Sequence, residues 1–156
     1  MNDSPSISSG FDLSQRSAYP YATTEHLRFA DVDANGHINN VAFLVFFENV
    51  RVNYVNDRLA GLQRHGLGVI LAHLDIDYHR QLFHPGTIEA TARLIEIRHS
   101  SVVIAQAVFD SQGRCAASGQ AILVAFDRAA DCAVPIPSDV RREFERLLAH
   151  PEGPQS

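Results

Sequence analysis

One long run of helical periodicity constrains the fold more than any other feature of the sequence. Between about Asn39 and Leu59, apolar residues recur at helical spacing and cover most of the helix circumference. One stripe is Val41, Leu44, Glu48, Val52, Val55 and Leu59, and the other is Phe43, Phe47, Val50 and Tyr54. A helix that is apolar on nearly all sides is expected to be enclosed by other elements. Asn39 or Asn40 is placed to cap its start, and Gly61 to end it.

The remaining segments favour strands. Residues 23–30 and 68–78 read as strands, and three longer segments, 87–98, 102–110 and 115–127, are separated by turn signals. Three consecutive long strands joined by short hairpins predict an antiparallel meander. A last helix is predicted from the N-cap Ser138 to about Ala149. The fold class is therefore α+β: about five antiparallel strands wrap the long helix and leave an edge or face free for a second copy.

Length and composition exclude several classes. The 156 residues fit one domain, predicted at 21–150, between tails at 1–20 and 151–156 whose serine and proline content predicts disorder. All 13 basic residues are arginine and the net charge is −5, which argues against nucleic-acid binding. Two cysteines at unsuitable spacing predict neither a disulfide framework nor a metal site. With no apolar run of membrane length and no secretory leader pattern at the start, we expect a cytoplasmic protein with no membrane partner.

The segment before and within the long helix, residues 28–51, reads RFADVDANGHINNVAFLVFFENVR. One interpretation is structural, because aspartate, asparagine and glycine build the turns that join a strand to a helix. Another is a calcium loop, since Asp31, Asp33, Asn35 and Gly36 match the first half of the EF-hand pattern. The twelfth position of that pattern needs a carboxylate, and here it is Ala42, so calcium is disfavoured.

A third interpretation is an acyl-transfer site. A helix N-terminus offers free N–H groups and a positive dipole end, which suit a carbonyl oxygen that becomes an oxyanion. A carboxylate in front of those groups can deprotonate water or attack the acyl carbon itself. Asp33 precedes the helix by a few residues, and His37 lies between the two.

The same residues resemble the signature of the 4-hydroxybenzoyl-CoA thioesterase family of hotdog-fold acyl-CoA hydrolases. The matching positions are Arg28, Phe29, Asp31, Asp33, Gly36, His37, Asn39, Asn40, Phe47, Glu48 and Arg51. Asp77-Tyr78-x-Arg80, Pro85-Gly86, Ser100-Ser101 and the Val134-Pro135-Ile136-Pro137 stretch also fit, so the resemblance spans roughly residues 22–148. It implies a hotdog fold, in which the sheet wraps the long helix.

The resemblance also implies roles. Asp33 is the expected catalytic carboxylate, the N–H of Asn40 the oxyanion donor, and His37 a polarising or orienting group that could instead be a capping histidine. Gly36 would let the chain approach the thioester without a Cβ, whereas Asp31 is interpreted as a turn-building residue. Phe43 and Phe47 are expected to line the acyl pocket. The family's usual tyrosine is replaced by phenylalanine at position 43, so one pocket hydroxyl is expected to be missing.

Two further sets of residues concern substrate binding. A carboxylate on an apolar stripe needs a partner, so Glu48 is expected to pair with Arg51, or else to line the acyl pocket, even across a dimer interface. For CoA, the resemblance points to the turn containing Arg98, Ser100 and Ser101. The Asp131-Cys132-Ala133 stretch replaces the Gly-Arg-Pro or Gly-Lys-Pro of many relatives and so removes a possible phosphate contact.

The sequence therefore predicts an acyl-CoA thioesterase that needs no cofactor and no metal, and that assembles as a homodimer or homotetramer. Its partner is an acyl-CoA substrate, with the acyl chain undefined. Two alternatives stay open at this point: an enoyl-thioester hydratase of the same fold, and a non-catalytic module that binds acyl thioesters.

Overall fold

The computed structural model describes residues 12–152. The strands are β1 (Tyr21–His26), β2 (Leu67–Leu74), β3 (Asp77–Tyr78), β4 (Thr87–Ile97), β5 (Ser101–Asp110), β6 (Cys115–Asp127) and β7 (Cys132–Ala133). The helices are α1 (Asn40–Arg58) and α2 (Ser138–Ala149), with 3-10 turns at Arg16–Ala18, Phe29–Asp31 and Ala60–His65.

One antiparallel sheet organises these elements, in the order β1-β4-β5-β6-β2. Strands β4, β5 and β6 form the predicted meander, and β1 and β2 are the two edges of the path. The short strands β3 and β7 add to β6 at its two ends. Because α1 packs against β1, β4 and β5, the sheet curls around the helix and the main core lies between them. The α+β architecture with a wrapped central helix is confirmed.

Helix α1 begins where the sequence predicted, with Asn39 as N-cap: its side-chain Oδ1 accepts a 2.9 Å hydrogen bond from the N–H of Ala42. The stripe of Phe43, Phe47, Val50 and Tyr54 faces the core and is at most 3% exposed. The other predicted stripe is buried at Leu59, which is 1% exposed, but is not enclosed along most of its length. Its members Val41, Leu44 and Val52, together with the neighbouring Val45, are between 38% and 59% exposed. These four residues are called the exposed stripe below.

Three local predictions differ from the structure. Gly61 does not end α1, which is capped at Leu59 and continues as a 3-10 helix until Gly66, where φ is +71°. The strand expected over 68–78 is broken, because Asp75 turns towards β6 and separates β2 from β3. The first strand ends at His26, since a 3-10 turn over Phe29–Asp31 begins the polar segment.

The break after β2 depends on a close approach to Gly119 of β6. A Cβ at that position would collide with the carbonyl oxygen of Asp75. The Asp75 side chain in turn accepts a 2.9 Å hydrogen bond from the N–H of Gln120. Glycine is therefore required where Asp75, between β2 and β3, bulges against β6.

The predicted N-terminal tail is packed in part. Tyr19 is 1% exposed and lies with Ala18 over Ala105 and Phe109, on the outer face of the sheet. Arg16 pairs with Glu89 of β4 at 2.8 Å. The serine-rich composition did not predict this packing, because the contacting residues lie far along the chain. Residues 1–11 and 153–156 of the predicted tails lie outside the described residues.

Helix α2 starts at Ser138 itself, with Pro137 as its N-cap. Its apolar side, Val140, Phe144 and Leu147, joins the main core. Within residues 12–152, no helix combines the length and the apolar character needed to cross a bilayer.

Candidate active site

The polar segment folds into a tight reversed loop immediately before α1. Val32 and Ile38 form an isolated antiparallel bridge, and the N–H of Asp33 donates a 2.8 Å hydrogen bond to the carbonyl of His37. The turn between them closes with the N–H of Gly36 donating to the carbonyl of Asp33 at 3.0 Å. Gly36 has φ of +82°, the left-handed region that glycine adopts without strain. Its role in the structure is thus conformational.

Asp31 braces this loop. The residue is 5% exposed, and its carboxylate accepts two hydrogen bonds from the Arg28 guanidinium, at 2.7 and 3.0 Å. These bonds from the guanidinium lower the pKa of the Asp31 carboxyl below its usual value. Its backbone carbonyl accepts a 2.8 Å bond from the N–H of Asn39, which ties the loop to the helix start. These contacts match the predicted turn-building role.

Asp33 is half-buried, and one of its two carboxylate oxygens accepts hydrogen bonds from the described residues. Its Oδ1 atom accepts hydrogen bonds from the backbone N–H groups of Asn35 and His37, at 2.8 and 3.2 Å. No hydrogen bond from residues 12–152 reaches Oδ2. The carboxylate is therefore oriented by two backbone donors while one oxygen is left for another molecule.

The first turn of α1 lies next to this carboxylate. The N–H of Asn39 is used by Asp31 and that of Ala42 by the Asn39 cap. The N–H groups of Asn40 and Val41 have no acceptor within the helix, as at every helix start. They carry the positive end of the helix dipole, which favours a negatively charged oxygen.

An open cavity of about 350 Å³ connects these groups. It is lined by Asp33, His37, Ile38, Asn40, Phe43, Tyr78, His79, Arg80 and Gln81. The structure thus brings together four predicted site residues, Asp33, His37, Asn40 and Phe43. No site role was predicted from the sequence for Tyr78, His79 and Gln81. The only signal for them was the Asp77-Tyr78-x-Arg80 stretch, which matched the family pattern.

The wall opposite the helix comes from β3 and the segment after it. The Tyr78 hydroxyl donates a 3.1 Å hydrogen bond to the carbonyl of Asn40, and the ring meets Phe43 edge-on at 5.3 Å. The N–H of Ile38 donates to the carbonyl of Leu82 at 2.9 Å, and the His37 ring meets Phe83 edge-on. Loop and wall are therefore fixed to each other.

Phe47 and Glu48 do not reach this cavity. Phe47 is completely buried in the core, so it packs the helix against the sheet. The expected Glu48–Arg51 ion pair is not formed: Glu48 is exposed, and Arg51 bonds to the Gln106 Oε1 atom at 3.0 Å instead. Burial lowers the pKa of the Arg51 guanidinium, against the opposing effect of the Glu48 charge. Both Glu48 and Arg51 line a second, larger cavity.

The predicted CoA-binding turn lies at the opposite end of the sheet. Tyr78 pairs with Ala117 of β6, whereas Ser101 pairs with Val124, about 23 Å further along the strand. Arg98 is held by Glu96 through two hydrogen bonds, at 2.9 and 3.2 Å. Arg98, Ser100 and Ser101 are therefore not brought together with Asp33 within one chain.

The described residues form no cluster of metal ligands. Among residues 12–152, no three histidine, cysteine, aspartate or glutamate side chains are grouped closely enough to hold an ion.

Comparison with known proteins places the chain in a family. The sequence model described as Thioesterase-like superfamily matches residues 27–144. The chain belongs to this superfamily. A search of curated protein sequences found no match. The resemblance noted from the sequence is therefore confirmed at the level of the superfamily.

Solved structures of related proteins support the same assignment. The PA5185 protein of Pseudomonas aeruginosa is 28% identical over 85% of this chain and 94% of its own, with a TM-score of 0.72. A thioesterase of Thermus thermophilus, solved with coenzyme A and zinc, is 25% identical over 84% of this chain and 96% of its own, at 0.73. A DHNA-CoA thioesterase of Staphylococcus aureus shares the fold at 19% identity, over 86% and 95% of the chains, at 0.71. This superfamily member thus has the hotdog fold.

Proposed function

We propose that this protein is an acyl-CoA thioesterase that hydrolyses an acyl-CoA to a free carboxylic acid and CoA. The observation that carries the proposal is the position of Asp33. Its Oδ1 is fixed by two backbone donors, and Asp33 lines a cavity that the start of α1 also lines. A thioester placed there would have a carboxylate on one side and unpaired helix N–H groups on the other.

In the proposed reaction, Asp33 accepts a proton from a water molecule, and the water oxygen bonds to the acyl carbon. The carbonyl oxygen takes up negative charge and receives a hydrogen bond from the N–H of Asn40. When the carbonyl re-forms, the carbon–sulfur bond breaks, and the proton on Asp33 passes to the CoA sulfur. In a second route Asp33 Oδ2 attacks the acyl carbon, the carbon–sulfur bond breaks, and CoA leaves as the thiolate. Water then hydrolyses the mixed anhydride to the free acid and the Asp33 carboxylate, and a proton released in this step protonates the thiolate.

The other predicted residues receive supporting roles. His37 gives a backbone N–H to Asp33, while its ring packs against Phe83, so we assign it to positioning of the loop. Phe43 forms an apolar wall for the acyl group next to the thioester. Membership of the thioesterase-like superfamily supports the reaction class, and the Thermus relative was solved with coenzyme A.

We infer that the functional protein is an oligomer. Strand β2 is an edge of the sheet, and an uncovered edge is a template for pairing with another chain. The exposed stripe of α1 and the exposed residues Ile70 and Leu71 of β2 add apolar surface beside that edge. A second copy that pairs along β2 and covers the stripe explains both features. In such an assembly Arg98, Ser100 and Ser101 of one copy can serve the CoA bound to another.

A thiol-release assay tests the proposed function. Purified protein is incubated with short, long, branched and aromatic acyl-CoA esters and with an acyl-carrier-protein thioester, and free thiol is followed with a chromogenic reagent. We expect saturable release of CoA from at least one ester class, with equal amounts of acid and thiol. Saturable binding of the esters without any thiol release would replace this proposal with a non-catalytic binding module.

A further inference from the structure

A second cavity lies away from Asp33, between the C-terminal half of α1 and strand β2. Its volume is about 570 Å³. Most of its wall residues are aliphatic, among them Val52, Val55, Leu59 and Val69, so the cavity suits a hydrocarbon chain. Three charged side chains, Glu48, Arg51 and Arg128, break this apolar lining.

Arg51 is the unusual member of the lining. The residue is 8% exposed, and its Nη1 atom donates to Gln106 Oε1 at 3.0 Å and to the carbonyl of Phe47 at 3.5 Å. Within residues 12–152, no carboxylate oxygen lies within 4.0 Å of its guanidinium. A buried cation without an anion is costly, so a guanidinium in this position calls for a negative partner.

The unused edge of the guanidinium has the geometry for that partner. Arg51 Nε and Nη2 have no hydrogen-bond acceptor within the described residues, and both atoms keep some solvent-accessible surface. Both atoms belong to a side chain that lines the cavity. Nε and Nη2 together form the fork that binds both oxygens of a carboxylate. A hydroxyl or keto group has one oxygen, so it cannot pair with both N–H donors as a carboxylate does, and it would not neutralise the charge of the guanidinium.

The cavity is within reach of a molecule bound at Asp33. Arg51 follows Asn40 by about 16 Å along the helix axis. Val41, Val45, Glu48, Val52 and Val55 recur every three or four residues, so they lie on one helix face from the catalytic end to the cavity. In the proposed oligomer a second copy covers this face, so an acyl group that follows it would lie between the two chains and end beside Arg51.

We propose that the cavity binds the far end of an acyl group that carries a second carboxylate, with Arg51 as the residue that recognises it. This inference rests on the proposed thioesterase function and specifies its substrate class as ω-carboxyacyl thioesters. Arg128, which is exposed and forms no ion pair within the described residues, adds positive charge at the cavity. Glu48 opposes it, so the lining carries one more positive than negative charge.

Matched ester pairs test the proposal. Acyl-CoA esters of about six to fourteen carbons are compared, each with a methyl end or a carboxylate end, since an extended chain gains ~1.2 Å per bond. We expect kcat/KM for the best carboxylate-ended ester to exceed that of its methyl-ended pair at least about tenfold. Arg51→Met should abolish this preference. Arg142→Met, which removes an arginine outside the cavity, should retain the preference.

Calorimetry separates this inference from the proposed function. Free dicarboxylic acids and the matching monocarboxylic acids are titrated into the wild-type protein and into Glu48→Gln, which keeps Arg51 and its packing. We expect the dicarboxylic acid to bind more tightly, by a further twofold or more in Glu48→Gln, because a repelling charge is gone. If esters are hydrolysed without a carboxylate preference, this inference is overturned and the proposed function stands. If no ester is hydrolysed but the dicarboxylic acids bind as expected, the proposed function fails and the cavity assignment stands.

Discussion

The hydroxyl of Tyr78, on strand β3, donates a 3.1 Å hydrogen bond to the carbonyl of Asn40, the first residue of α1. The bond joins the two walls of the candidate active site, because the peptide units at the start of α1 include the proposed oxyanion donor. It also supplies a hydroxyl beside Phe43, where the family resemblance suggested that one was missing. Tyr78 is therefore a positioning residue for the proposed reaction.

Tyr78→Phe should lower kcat about 2- to 10-fold, the usual net effect of one neutral hydrogen bond. KM and the melting temperature should change little, since the ring stays against Phe43 and the residue is 48% exposed. Steady-state kinetics on the best ester provide the measurement. Tyr21→Phe is the matched control, because its hydroxyl bonds to Asp57 near the other end of α1. Equal kcat values in the two variants would show that Tyr78 does not position the active site.

Asp33→Asn should lower kcat by at least about two orders of magnitude, because a positioned general base contributes ~10²–10⁴-fold. Asparagine keeps the Oδ1 acceptor for the N–H groups of Asn35 and His37, so the loop and the melting temperature should be preserved. Thiol release and thermal melting are measured together. Asp57→Asn, a change of the same kind at an exposed position on α1, should retain wild-type turnover. Near wild-type activity in Asp33→Asn would refute the assigned mechanism.

The start and extent of α1 and the meander could be predicted because their signals are local. Periodicity, the Asn39 cap and the turns between β4, β5 and β6 all lie within short stretches of chain. The polar loop before α1 was also recognisable, since its residue types and spacing are specific.

What the sequence could not show depends on distant residues. Arg51 bonds to Gln106, and not to Glu48 three residues away, because its side chain is buried beside Gln106 of the sheet while Glu48 is exposed. Tyr78 follows a break at Asp75 that needs glycine at position 119, and its hydroxyl bonds to Asn40, 38 residues earlier in the chain. Residues 12–20 pack because Tyr19 meets Phe109 on the far side of the sheet. None of these partners is marked by a local pattern.

The pair formed by Asp31 and Arg28 predicts how stability depends on pH. The folded-state pKa of Asp31 lies below its usual value of 3.8, so the ionised carboxylate stabilises the fold above that pH. This contribution is lost as the pH falls from about 4 through the folded-state pKa. Asp31→Asn should therefore be less stable than the wild type at pH 7, and the difference should shrink in acid. Urea unfolding at several pH values measures it.

Arg28→Gln is the companion variant for that experiment. It removes the other half of the pair, so it should reproduce part of the loss at pH 7, and the double variant should lose less than the two single losses added. Additive losses, or a difference that does not change between pH 7 and pH 4 or below, would show that the pair is not the source of the stability.

Oligomer formation through β2 and the exposed stripe can be tested with two substitutions of equal chemistry. Val45 on the stripe is 38% exposed and Leu148 on α2 is 36% exposed, so each presents a similar apolar side chain to solvent. We expect the wild type to have two or four times the chain mass by light scattering. Val45→Glu should reduce that mass at the same protein concentration, because a carboxylate at a buried interface is costly. Leu148→Glu should leave the mass unchanged. If the active sites form only in the oligomer, thiol release per chain by Val45→Glu should rise with protein concentration. A wild-type protein with the mass of a single chain would refute the proposed interface.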